Sequence, residues 1–534
     1  MEESVFRQKA MNIIPSLRPE HHAYQWYVLI TVMLGTFMVI LDGTIVNIAI
    51  PTIMASFGVT LSEVVWVSTA YLIALSVLLA VASWLALHFG QKRVYMLALL
   101  IFTISSYLCG IAWNLHSLIF FRIVQGIGGG VLIPVGMTLF SAEFPPEKRT
   151  MAFGFYSISV AAAISLGPSV GGYLLEKLTW GWIFFINVPV GLATWIGSFA
   201  IIKTSIGKKI ETFDFWGLVF LTAFVVALLV GISSGNAPWN AEGWTSRYTI
   251  TAFTISVTSF VLFVLAELKS KEPIVDLSVF KIRNFFLGNI VLFIFSFTLF
   301  GSSFLLPLYL QNGLGYSKIR IGMVLLPIGL MQGLVGPITG WLSKIISQRM
   351  LVMIGIICLG ISYYFNASFT LYTSESTMLW LFIFRGVACA LMFAPVVALT
   401  LGSVPEEKMA QATGLFTVQR QIGAALGVAI FETIFSMREI YHEAMYGIAV
   451  KQNSPIYQEI TARLEDAARV NLGADGWEIA TQVKHTILDA IHTEVFIQSI
   501  DDNILIAGII TFFSCIPLFF IKTDGAKAVS HAGE

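Results

Sequence analysis

The sequence predicts an all-α polytopic membrane protein with 14 transmembrane helices in a six, two, six arrangement. Three observations carry this. Charged residues are only 12% of the 534 residues, about half the roughly 25% usual in soluble domains. Apolar types make up 57% of the chain, and the mean hydropathy is +0.81. The apolar residues also gather into runs long enough to cross a bilayer. A soluble chain of this length would form about three domains, each needing a polar shell. With 31 basic and 31 acidic residues, the chain cannot supply such shells. The zero net charge also excludes a nucleic-acid binder.

Cutting the apolar runs at charge clusters and turn residues gives segments 26–50, 64–87, 94–113, 118–140, 152–175 and 182–202. Two more follow at 215–233 and 248–267, then 285–310, 321–341, 351–369, 378–401, 412–435 and 504–521. A span needs about 20 apolar residues. In hydrocarbon every backbone amide must be bonded within the segment, so each run is read as a helix. Cys109, Cys358, Cys389 and Cys515 all lie in apolar runs without metal-ligand spacing, and are expected to be buried free thiols. No cofactor and no metal is expected. The first apolar run is too long for a signal-peptide core, so no cleavable signal is expected.

Basic residues orient the spans. With the N-terminus inside, 19 of the 31 Lys and Arg fall on the inner side and 4 in short outer loops; 5 lie in the long connection 436–503, and Arg122, Arg385 and Arg420 are in the membrane. Both termini are therefore expected in the cytoplasm. The polar connection 436–503 is expected outside as a two-helix hairpin. Tyr457, Ile460, Leu464 and Ala467 recur at helical spacing, as do Val483, Ile487 and Ile491.

Three landmarks recur at nearly one offset. Ser83-Trp84-Leu85-Ala86 resembles Gly340-Trp341-Leu342-Ser343, Phe121-Arg122 matches Phe384-Arg385, and Pro146-Glu147-Lys148 matches Pro405-Glu406-Glu407-Lys408. The offsets are 257, 263 and 259 to 260. They imply two parallel halves, the plan of a transporter that rocks around a central site. The domain reading is a cytoplasmic segment 1–25, a first half 26–205, two inserted helices with linker 206–284, a second half 285–521 that includes hairpin 436–503, and a tail 522–534.

Intramembrane ionisable residues mark ion pathways. Asp42 lies in the outer half of the first span. Arg122 lies four residues into the segment starting at 118, with Gln125 one turn on. Asp42, Arg122 and Glu432 are the candidates for proton coupling. Asn47, Gln125, Gln332, Arg385, Gln419 and Arg420 are candidates for a substrate-binding cavity. Gly167, Pro168, Gly171 and Gly172 combine a missing backbone donor with small residues, suiting a kinked, closely packed helix. Gly90, Lys92 and Arg93 form a candidate conformational loop. The glycine run 126–130 lies inside an apolar span and follows no strand, so it is not a nucleotide loop. No GxxxxGK[ST] occurs.

Taken together, these motifs resemble the major facilitator superfamily: the Arg122 motif, Gly167-Pro168-x-x-Gly171-Gly172, and the loop Gly90-Gln91-Lys92-Arg93. Within it, Leu41-Asp42-Gly43-Thr44-Ile45-Val46-Asn47, Trp180-Gly181-Trp182 through Asn187-Val188-Pro189, and Gln419-Arg420-Gln421-Ile422-Gly423 resemble the 14-span drug:proton antiporters of the EmrB and QacA type. The hairpin beginning Arg438-Glu439 with His442 is most similar to EmrB. The resemblance covers 26–521 and implies the major facilitator fold in a bacterial inner membrane. It implies proton-driven export of lipophilic drugs, with Asp42 and Arg122 at the matching motif positions. It also implies as partners a periplasmic adaptor protein and an outer-membrane channel. One departure is that Ser83, Leu87 and His88 stand where the loop motif carries a glycine, an acid and a base.

The competing reading is a dedicated exporter of one metabolite, siderophore or fatty acid on the same scaffold. A membrane-embedded enzyme or sensor would need a cluster of nucleophile, base or metal ligands, and the eight histidines are scattered.

Overall fold

The structure, a computed structural model, describes residues 21, 23–64, 66–204, 207, 214–235, 237, 240–270, 273–449, 458–459, 461–464 and 476–521. Fourteen of its helices are long and apolar enough to cross a membrane. The first six are α1 (Tyr24–Phe57), α2 (Trp66–Phe89), α3 (Gln91–Gly110), α4 (Leu115–Glu143), α5 (Pro146–Lys177) and α6 (Asn187–Ile201), whose span also takes in the short helix Trp182–Phe185 ahead of it. Then come α7 (Phe215–Gly235) and α8 (Arg247–Lys269). The last six are α9 (Arg283–Leu308), α10 (Lys318–Leu342), α11 (Gln348–Asn366), α12 (Glu375–Leu401), α13 (Met409–Ala449) and α14 (Gly476–Phe513).

Short polar signals set the helix ends. The Asn114 side chain accepts from the Ser117 backbone N–H while Ser117 returns the bond, a capping box that opens α4. Ser246, Ser317, Ser347 and Ser374 cap α8, α10, α11 and α12 in the simpler way. Gly58, at φ 65°, closes α1 in the left-handed region that glycine adopts without strain. Gly90, at φ 88°, makes the two-helix corner between α2 and α3.

Helices α1–α6 pack on one another, α9–α14 do likewise, and two seams join the groups. In the α5–α10 seam the facing residues are small. A Cβ added to Gly336 would lie 2.6 Å from the Gly154 carbonyl oxygen, and one added to Gly340 would meet the Met151 backbone. Backbones that approach so closely gain packing where apolar burial gives none, since lipid is as apolar as leucine. In the α2–α13 seam the Ser83 hydroxyl donates to the Ala410 carbonyl and Gly414 packs on Ser83. Hydrogen bonds across the seams gather at the face where α1 begins and α2 ends, here called the termini side. Among them are Thr138 with Thr413 at 2.8 Å, Arg149 with Glu406 at 3.2 Å and Gln348 with Thr150 at 2.9 Å.

The inserted helices α7 and α8 lean on the α2–α13 seam. Leu221, Val225 and Leu229 of α7 and Phe263 of α8 bury against Ala80, Val81 and Trp84 of α2. Partly buried Leu415 and Val418 of α13 join that cluster. The Trp244 indole N–H, in the α7–α8 connection, donates to Thr433 of α13 at 2.8 Å.

Three details depart from the sequence reading. First, the capped start at Leu115 places Arg122 seven residues into α4, about 10 Å at 1.5 Å per residue. Arg122 is therefore deeper than a start at 118 implies. Second, the hairpin arms are not separate helices beyond the spans. α13 runs unbroken for 41 residues and α14 for 38, roughly 60 Å each, against a bilayer of about 40–45 Å. No break occurs at 436 or 503. Asp502 of α14 clasps the arms, accepting from Arg438 at 2.6 Å and facing His442 Nε2 at 2.7 Å. Phe435 and Phe496 meet edge to face at 5.6 Å. Of the expected helix 457–467, residues 458–459 and 461–464 are described and helical; the rest lies outside the described residues.

The third departure concerns the register of the repeat. A Cβ on Gly126 would lie 2.6 Å from the Tyr71 carbonyl oxygen, and one on Gly386 would meet the Ile328 carbonyl oxygen. These equivalent contacts give offsets of 260 for the α4–α12 pair and 257 for α2–α10. The packing therefore sets Arg385 opposite Gln125 and not opposite Arg122, despite the shared Phe-Arg dipeptide.

Candidate functional site

Five helices of the first half bring polar groups to one buried point. Asp42 of α1 is fully buried, as are Gln125 of α4 and Ser106 of α3; Arg122 and Asn187 are 1% exposed. Arg122 Nη1 donates to Asp42 Oδ2 at 2.5 Å and to Gln125 Oε1 at 2.7 Å, and its Nε donates to the Val67 carbonyl at 3.2 Å. The other carboxylate oxygen of Asp42 accepts from Gln125 Nε2 and from Asn187 Nδ2, each at 2.9 Å. Both amides also donate to the Ser106 hydroxyl at 3.1 Å, and Ser106 donates to the Phe184 carbonyl. The Arg122 guanidinium lies 3.9 Å over the Tyr71 ring.

The local sequence explains the convergence. Arg122 and Gln125 are one turn apart on α4, so they share a face. Gly126 lets α4 close onto α2 at Tyr71, and Gly128 lets it close onto α3 at Ala98 and Phe102. Gly167 of α5 packs on Thr44 and Gly171 on Ile45, which presses α5 onto α1 beside Asp42. Ion and counter-ion are thus enclosed together. A buried pair stays favourable only while its remaining hydrogen-bonding groups are filled, and here three donors fill the carboxylate. Protonating Asp42 would remove the charge that holds Arg122, so one proton can loosen contacts among α1, α2 and α4 at once.

The other candidates are more dispersed. Gln419 of α13 donates to the Asn289 carbonyl at 3.4 Å, within the second half. Arg420 is half-buried and stands close enough to Tyr156 of α5 to interact electrostatically across the two halves. Gln332 of α10 is buried. Arg385 is fully buried, with its described contacts inside the second half: Ser302, Ser303 and the Tyr363 ring. Glu432 is half-buried on α13, beside Thr433. Asn47 lies on α1 and Pro168 on α5, which stays helical through that position, but both side chains lie outside the described residues. Gly172 follows Gly171 on the same helix.

In the loop motif, Gly90 makes the corner, Lys92 is buried with its ammonium donating to the Phe199 carbonyl at 2.9 Å, and Arg93 is exposed. Lys92 therefore ties α3 to α6 within one half. Sequence reasoning gave no site role to Asn187, Ser106 or Tyr71. Asn187 stood in a quoted motif, and its place in an otherwise apolar run was the available signal.

The family model described as "Major Facilitator Superfamily" matches residues 32–428. The chain belongs to the major facilitator superfamily. Among superfamily relatives, it is 32% identical over 492 residues to "Multidrug export protein EmrB" of Escherichia coli (strain K12), covering 90% of this chain and 94% of that one. It is 31% identical over 513 residues to "Fatty acid resistance protein FarB" of Neisseria gonorrhoeae, covering 95% and 97%. The solved structure titled "human organic anion transporter MFSD10 (TETRAN)" superposes with a TM-score of 0.60 at 10% identity. That match covers 93% of this chain and 99% of that one, and it shows the superfamily fold. The chain is a multi-pass membrane protein of a transporter superfamily whose members move small molecules.

Proposed function

We propose that this chain is a proton-coupled antiporter that exports lipophilic compounds from the cytoplasm by alternating access. The observation that carries the reading is the enclosed Asp42–Arg122 pair, with Gln125, Asn187 and Ser106 around it. It is an ionisable pair inside a membrane domain, held by groups from five helices. The similarity to EmrB along most of both chains supports drug export. The skew of basic residues toward the termini side supports cytoplasmic termini in a bacterial inner membrane. In that orientation the cross-half hydrogen bonds lie at the cytoplasmic face, which corresponds to an outward-facing state. Substrate would pass between the halves, where Arg420, Gln419 and Gln332 supply polar groups. Gly167, Gly171 and Gly172 with Pro168, and the Gly90–Arg93 corner, would carry the rocking motion. Glu432 is a second coupling candidate.

Energetics suit this role. Each proton moving down 100 mV supplies about 2.3 kcal/mol, enough for roughly a 50-fold gradient of a neutral solute at about 1.4 kcal/mol per tenfold ratio. The long arms of α13 and α14 would project outside and dock a periplasmic adaptor that leads to an outer-membrane channel. The test is efflux of a lipophilic dye from proteoliposomes with an imposed pH gradient. Efflux that follows the gradient is expected. Efflux indifferent to the gradient overturns proton coupling.

A further inference from the structure

The second half holds a buried cation without the carboxylate that the first half provides. Arg385 of α12 is fully buried. Its Nη2 donates to the Ser302 hydroxyl at 2.7 Å and to Ser303 at 3.3 Å, and its guanidinium lies 4.9 Å from the Tyr363 ring centre. Its Nε and Nη1 have no hydrogen-bond partner among the described residues, and no described ion pair includes it. Tyr363 donates no counter-charge; its hydroxyl accepts from Ser302 at 3.2 Å. On α9, one turn before Ser302, the Thr298 hydroxyl is buried and the Thr298 carbonyl accepts from Ser302 at 2.7 Å. One turn from Tyr363, the Asn366 side chain is also buried with neither Oδ1 nor Nδ2 bonded.

Arginine does not shed its proton inside proteins, so this charge stays. A buried ion persists when it is paired and its donors are filled. Guanidinium nitrogens can only donate, and the Ser302 hydroxyl, which donates to the Thr298 carbonyl, can turn to donate elsewhere. The two unfilled donors of a permanent buried cation therefore ask for an acceptor that carries negative charge. The first half shows the need met: Arg122 has a covalently held partner in Asp42, whereas the described hydrogen bonds of Arg385 go only to hydroxyls.

We propose that Arg385, with Ser302 and Ser303, binds a small monovalent inorganic anion of the chloride type inside the second half, as a structural counter-ion. The anion would neutralise Arg385 and tie α9 to α12, as Asp42 ties α1 to α4. This is separate from the coupling pair and does not depend on the export reading.

The test is thermal unfolding of the full-length detergent-purified protein in sodium chloride against sodium gluconate at matched ionic strength. The melting midpoint is expected to rise saturably with chloride, by about 1–3 °C over a hundredfold range, and gluconate is expected to give no rise. The Ser302→Asp variant supplies a covalent carboxylate. It should melt higher than wild type in gluconate and lose its response to chloride. Arg385→Gln should lose the response too; if it fails to fold, Ser302→Asp still decides. A wild-type midpoint indifferent to chloride overturns the proposal. So does a chloride response that survives in Ser302→Asp, which would move the anion elsewhere. No transport is measured, so a negative result leaves the antiporter reading untouched.

Discussion

The Arg122 guanidinium serves Asp42, Gln125 and the Val67 carbonyl at once while lying flat on Tyr71. A lysine has no planar fork and cannot replace that set. Arg122→Lys should therefore lose gradient-driven transport while keeping its membrane level, checked by immunoblot and dye efflux; normal efflux would contradict the role. Asn187→Ala removes one donor to Asp42 and leaves a buried charge less satisfied. A loss of about 1.5–3 kcal/mol is expected for a hydrogen bond to a charged group, read as a lower melting midpoint of the purified protein. Asp42 and Arg122 were legible in the sequence because an ionisable side chain in an apolar run stands out. Asn187, Ser106 and Tyr71 were not, because uncharged polar residues are common in membrane helices and spacing does not say which neighbour they face. Arg385 was misaligned for a similar reason: the Phe-Arg dipeptide matches in letters, but the glycine contacts fix the true register.

At the scale of elements, the α5–α10 seam depends on hydrogen where side chains would stand. Gly336→Val should force the backbones apart and cost about 1–3 kcal/mol, lowering the melting midpoint and abolishing transport. The termini-side contacts make a second prediction. Ser83→Cys with Ala410→Cys, in a background lacking the native cysteines, should cross-link readily, and the cross-link should stop efflux. Span existence was legible from apolar run length, because the bilayer sets that length. The ends were not. The capping box at Asn114 and Ser117 begins α4 three residues before the apolar run suggests, and polar side chains on the extended turns of α13 read as loop to any hydropathy count.

The whole molecule is two helix groups joined by two seams, braced by α7 and α8 and extended by the arms. Just before α9, Asp276 pairs with Lys408 at the start of α13 at 2.8 Å. Partial burial pushes the Asp276 carboxyl up, but hydrogen bonds from Lys408 and Ser278 together outweigh this and hold it below its ordinary value. A depressed carboxylate gives stability that is present above its unfolded value, near pH 4. That stability is lost as pH falls through the lower folded value. Wild-type protein should thus lose stability below about pH 4 relative to Asp276→Asn, in paired melting curves. The six, two, six plan was legible from the order of runs and the recurring landmarks. The lean of α7 and α8 on one seam was not, since it rests on which face of each apolar helix meets a neighbour.

The proposed coupling assigns the moving proton to Asp42. The most direct measurement compares two activities of Asp42→Asn in proteoliposomes: substrate exchange without a gradient, and uphill transport driven by an imposed pH gradient. Asparagine keeps the shape and most hydrogen bonds but cannot exchange a proton. Exchange is expected to persist while gradient-driven transport is lost. Gradient-driven transport at the wild-type rate in Asp42→Asn would contradict that assignment.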